Sequence, residues 1–77
     1  MVMEENYDWL IWSYEHDAWW GPGRCGYTRN VKEAGRYTGK EALRICRQAN
    51  RYREEVKKTP VHVWLVKKFK NGRWDSE

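Results

Sequence analysis

No stretch of this chain approaches the ~20 consecutive apolar residues that span a bilayer. The first twenty residues hold no Lys or Arg at all, so the N-terminus lacks the basic start of a secretory signal. Together these absences predict a soluble, cytosolic protein without a membrane partner. Cysteine is scarce: Cys25 and Cys46 are the whole complement, too few for a disulfide framework and without the CxxC pairing of a zinc ribbon or redox motif. Both read as free thiols. Internal repeats, low-complexity tracts and long linkers are missing too, so residues 1–77 read as one domain, with residues 1–6 and 71–77 frayed.

What is abundant is aromatic: six Trp and five Tyr, with one Phe, in 77 residues. A chain this short buries only roughly 60–65% of the surface its unfolded form exposes, and large rings with few rotatable bonds make such a small core efficient. The net charge of +4 divides unevenly, −5 over residues 1–20 and +9 over the remainder. A basic segment of this kind raises encounter rates with nucleic acid or an acidic protein surface, or is attracted within the fold to the acidic start of the chain.

"YDWLIWSYE", Tyr7 to Glu15, is rich in aromatic and branched residues and reads as a strand. "AWW" then meets Gly21-Pro22-Gly23, which turns the chain. "CGYTRN" is a second short strand that pairs back on the first in a meander or long-looped hairpin. "TGKE" places Thr38 as N-cap and Glu41 at the third helical position, a capping box. Ala42, Ile45, Cys46, Ala49, Tyr52 and Val56 then recur at helical spacing, which predicts an amphipathic helix from Gly39 to Lys57. Lys40, Arg44, Arg47, Arg51 and Lys58 fall on its other side within about 60° of one another, with Leu43 between the faces. Thr59-Pro60 ends the helix. "VHVWLVKKF" reads as a strand buried on both faces, and Asn71-Gly72 as a tight turn bringing Arg73-Trp74 back on Lys68-Lys70. The expected class is α+β: a small, mostly antiparallel sheet of three to four strands with one amphipathic helix on one face, in the order β-β-(β)-α-β.

Glu15-His16-Asp17 has the composition of an acid–base or metal site. Adjacent side chains on a strand point to opposite faces, and His62 is the one other imidazole in the chain, so these residues read as turn supports and no metal or cofactor is expected. Cys25 beside Arg24 lacks an orienting third group for nucleophilic catalysis. Gly21 to Gly26 does not open into a helix or carry the Lys-Ser/Thr of a phosphate loop. No catalytic residue, and hence no enzyme, is read from the sequence.

Two binding readings remain. In one, Trp19, Trp20, Arg24 and Tyr27 anchor a protein interface, one tryptophan of the pair packing inward and the other remaining available, while Glu15, His16 and Pro22 hold the turn. In the other, Lys40, Arg44, Arg47, Arg51, Lys57 and Lys58, with the Lys67-Lys68-Lys70 cluster, bind nucleic acid. "WSYEHDAWWGPGRCGYT" followed by "EAGRYTGKEAL" resembles a family of small uncharacterised bacteriophage and prophage proteins with the pattern W-S-x-E-H-x-A-W-W-x-P, then G-Y-T, then A-G-R-Y-S/T and E-A. The match runs from about Trp12 to Leu43. The resemblance implies a setting, the infected bacterial cytosol, in which small proteins bind and block host proteins, host-defence systems among them. It implies no function for individual residues. The expectation is therefore a non-enzymatic binder of a bacterial host protein, with acidic surfaces favoured, acting as a monomer or homodimer.

Overall fold

In the computed structural model, residues 6–51, 56–70 and 73–74 are described. Three short strands open the chain as a meander, β1 (Trp9–Ser13), β2 (Ala18–Trp20) and β3 (Tyr27–Thr28). The helix α1 (Gly39–Asn50) follows, then β4 (Lys58–His62), a 3₁₀ helix over Val63–Lys68, and the short strands β5 (Phe69–Lys70) and β6 (Arg73–Trp74). The main sheet is antiparallel in the order β3-β2-β1-β4, and β5 pairs with β6 as a separate hairpin. The α+β class, with one main helix on a small antiparallel sheet, is as the sequence predicts.

The strand buried on both faces is β1, and this corrects the expectation placed on "VHVWLV". In the run Leu10-Ile11-Trp12, alternate side chains serve opposite cores. Ile11 joins Tyr37, Ala42, Ile45 and Cys46 under the helix, with Trp9 and Trp20 packed against them. Leu10 and Trp12 join Trp19, Ala34, Val61 and Phe69 on the other face, closed by Val31, Val63 and Val66. One strand therefore serves as the common wall of two small cores.

The helix begins as its sequence dictates. Thr38 Oγ1 accepts from Glu41 N–H at 3.1 Å and Glu41 Oε1 accepts from Thr38 N–H at 3.1 Å, so two orphan donors are satisfied reciprocally. It ends earlier than its apolar periodicity suggests. Asn50 is the last helical residue, and Arg51 already has extended backbone angles. Tyr52 lies outside the described residues, and Val56 is exposed in the connection. The Asn50 carboxamide accounts for the stop: its Oδ1 accepts from Lys57 N–H (2.6 Å) and Lys58 N–H (3.0 Å), and its Nδ2 donates to the Lys58 carbonyl (2.9 Å). A side chain that binds the returning strand in this way competes with continuation of the helix.

Pro60 lies inside β4, opposite Ile11. The ladder is bracketed by Val63 N–H donating to the Asp8 carbonyl and Tyr14 N–H donating to the Lys57 carbonyl. In an antiparallel pair that alternation turns the nitrogens of Lys58, Pro60 and His62 away from β1, towards the open edge. Proline therefore costs the ladder nothing, as expected on an edge strand. After His62 the run "VWLVKK" coils as a 3₁₀ helix. Its three-residue period places Val63, Val66 and then Phe69 on one inward row, which explains why a strand-like composition does not form a strand. Phe69 and Lys70 pair with Trp74 and Arg73 in the expected register; Asn71 and Gly72, the expected turn, lie outside the described residues. So do residues 1–5 and 75–77 of the ends expected to fray.

Candidate functional site

The opening motif builds a tight corner. Tyr14 to Asp17 connects β1 to β2, Asp17 takes a φ of 54°, and the buried Ser13 hydroxyl accepts from His16 N–H at 3.2 Å. The three chemistry-bearing side chains then diverge. Glu15 reaches Lys57 Nζ at 3.9 Å, the His16 ring stacks on Tyr27 at 3.8 Å, and Asp17 reaches Arg29 at 4.0 Å. Among the described residues, no group of three His, Cys, Asp or Glu side chains is placed to hold a metal ion.

Beyond β2 the glycine loop closes on itself, Gly21 N–H donating to the Gly26 carbonyl at 2.9 Å. Gly23, Arg24 and Gly26 have φ values of 64°, 61° and 75°, the left-handed region that glycine occupies without cost and arginine does not. Tyr37 holds the arginine there. Its buried hydroxyl accepts from Arg24 N–H at 3.0 Å and donates to the Gly21 carbonyl at 2.6 Å. Burial raises the Tyr37 pKa above its ordinary 10.0, with the Arg24 N–H and charge opposing the shift and Glu41 adding to it. Gly35 lies so close to this loop that a Cβ would strike the Gly21 carbonyl and approach Pro22 Cα to 2.9 Å.

The tryptophan pair divides as expected, one inward, but the outer ring is only half free. Trp19 is 4% exposed and meets Trp12 edge-on at 5.0 Å. Its place in the core corrects its assignment as an interface anchor. Trp20 is half-buried, with Tyr27 and Tyr37 each at 6.4 Å and the Lys58 ammonium 5.0 Å from its ring centroid. Arg24 and Tyr27 are exposed, as are Pro22 and Cys25. The motif therefore spends most of its rings on closing the fold, and offers a partner Tyr27, Arg24 and one side of Trp20.

The basic surface is smaller than its sequence list. Lys40, Arg44, Arg47 and Arg51 are exposed along α1. Lys58 is not on that face: it is 8% exposed, in β4, over Trp20. Lys57 is half-buried against Glu15. Both leave the nucleic-acid set because the helix stops at Asn50 and the chain turns back before reaching them. Cys46 is under the helix, where burial pushes its thiol up to about 11, Lys58 opposing.

The most exposed large apolar side chain among the described residues is one the sequence reasoning assigned to a buried strand. Trp64 is 81% exposed and its neighbour Leu65 44%. The 3₁₀ period turns both outward while Val63 and Val66 point in. His62 anchors this turn: its Nδ1 accepts from Trp64 N–H at 3.1 Å, and its ring meets Trp64 at 5.2 Å and Trp9 at 5.0 Å, both edge-on. A shallow hollow of about 740 Å³, lined by Val31, Val63, Trp64, Val66 and Lys67, lies beside it. The signal that could have revealed this surface is the three-residue spacing of Val63, Val66 and Phe69.

The chain matches no protein-family model, no curated protein and no solved structure. Among the described residues, no helix is long and apolar enough to cross a membrane.

Proposed function

We propose that this chain is a non-enzymatic binding domain that engages a protein partner through the surface around Trp64 and Leu65. The observation carrying this reading is the exposure of Trp64. Full burial of a large apolar side chain is worth about 1.5–3 kcal/mol, and tryptophan is among the residues that dominate binding energy at protein interfaces. Trp64 forgoes that gain within the fold, beside an apolar hollow and next to the exposed Lys67 and Lys68. Those lysines and the net charge of +4 favour an acidic partner surface. The resemblance to phage-encoded proteins supports a bacterial host protein as that partner, blocked or modulated by binding.

The test is a tagged pull-down from bacterial lysate, with nuclease, comparing the natural sequence and Trp64→Ala. A partner captured by the first should be lost by the second, while the circular dichroism and melting of the domain stay unchanged. Equal capture of the same partner by both proteins refutes the Trp64 surface. A second reading has its own support: Lys40, Arg44 and Arg47 are exposed on α1 and form no ion pair with any described residue. Nucleic-acid binding through them requires affinity that falls steeply with salt, and a salt-independent binding constant excludes it.

A further inference from the structure

Trp12 is 3% exposed, and its indole N–H has no hydrogen-bond partner among protein atoms. A buried donor left unsatisfied is uncommon and costly. Its edge-on neighbours Trp19 and Phe69, at 5.0 and 5.7 Å, offer only ring faces, which are weak acceptors. The same three rings belong to the wall of a cavity of about 390 Å³ on the face of the sheet away from α1. Three cations reach its rim: Arg29 from beyond β3, Lys67 from the 3₁₀ helix and Lys70 from β5. One acid, Asp17, is also there, held loosely to Arg29 at 4.0 Å with both side chains mostly in solvent.

We infer that this cavity is a binding site for an apolar monocarboxylate: a ring or branched chain against the aromatic wall, an oxygen accepting from the Trp12 indole N–H, and the negative charge facing Lys67 and Lys70. Apolar lining with a few placed polar groups is the usual composition of a small-ligand site. The excess of cations at the rim selects an anion over a neutral molecule of the same shape. This inference goes beyond the partner surface proposed above, since Trp64 is not part of this cavity. The carboxylate belongs either to a free small acid or to the C-terminal residue of another chain.

The experiment is a titration of the ¹⁵N-labelled full chain, following its Trp indole N–H resonances, with Trp12→Phe identifying the signal of Trp12. The probes are 3-phenylpropanoate and its neutral amide, and an acetylated tripeptide ending in leucine with either a free carboxylate or an amide terminus. The Trp12 resonance should move and saturate with the carboxylates and not with the amides. Whichever carboxylate binds more tightly identifies the source of the group. Replacing both Lys67 and Lys70 by Gln, on exposed positions that leave the core intact, should weaken the carboxylates about fivefold. An unmoved Trp12 signal, equal shifts with the amides, or undiminished binding by the double variant overturns the site.

Discussion

Asn50→Ala is expected to destabilise the domain far more than a polar substitution at the end of a short helix ordinarily does. The side chain makes three hydrogen bonds, accepting from Lys57 and Lys58 N–H at 2.6 and 3.0 Å and donating to the Lys58 carbonyl at 2.9 Å. Each is worth about 0.5–1.5 kcal/mol net. The site is partly buried, so water recovers some of the loss, and alanine regains up to about 0.7 kcal/mol of helix propensity. The balance is a loss of about 2 kcal/mol, which for a domain of this size lowers Tm by about 10 °C. Asn50→Asp sharpens the test. It keeps an acceptor for the two amides but puts an oxygen where the Lys58 carbonyl needs a donor, with a negative charge at the helix C-terminus. At acid pH a protonated carboxyl restores the donor, so relative to the natural sequence this variant should lose more stability at pH 7 than at pH 3. Thermal and urea unfolding followed by circular dichroism measure both effects. An Asn50→Ala loss below about 0.5 kcal/mol refutes the reasoning, because three single hydrogen bonds together exceed it.

Tyr37→Phe removes the hydroxyl that ties Gly21 to Arg24 and should cost about 2 kcal/mol in urea unfolding. Burial raises the Tyr37 pKa, so its neutral form stabilises the fold below the ordinary pKa of 10.0 and that contribution is lost as pH rises above it. The decline in stability above pH 10 should therefore be shallower in Tyr37→Phe, the slope that remains including Tyr14, also raised by burial. Cys46, buried and pushed to about 11, should resist a disulfide thiol reagent at pH 8 while the exposed Cys25 reacts, giving one equivalent folded and two in denaturant. Gly35→Ala drives a methyl into the Gly21 backbone and should cost about 2–4 kcal/mol, read as a lowered denaturation midpoint.

The capping box at Thr38 and Glu41 was legible because it is a local arrangement, set by four consecutive residues. The end of the helix was not legible, because Asn50 is matched with Lys57 and Lys58 across a connection that periodicity ignores; Tyr52 and Val56 continued the pattern by coincidence. β2 was read as the approach to a turn, since three residues before a Gly-Pro-Gly carry too little alternation to register as a strand. Val63 to Lys68 misled through composition: β-branched and aromatic residues suit a strand, and only their three-residue spacing signals a 3₁₀ helix. The candidate site suffered accordingly. The inward turn of one tryptophan in the pair was foreseeable, but which one turns inward depends on the register of β2 against β1, where Trp19 pairs with Trp12. Lys58 was counted with the helical cations only because the helix was extended past its end.

The shared wall formed by β1 has a consequence for how the protein is made. Trp9 pairs with His62 and Leu10 with Val61, so both sides of an early segment wait for residues synthesised much later. The helix can nucleate on its capping box as soon as it leaves the ribosome. Neither core can close until β4 follows, and the face opposite α1 remains open until Phe69 arrives. The nascent chain thus carries Leu10, Trp12 and Trp19 uncovered through most of its translation. Ribosome-bound chains stopped before Val61 should accordingly be cleaved by protease in "WLIWS", and chains extended past Lys70 should resist.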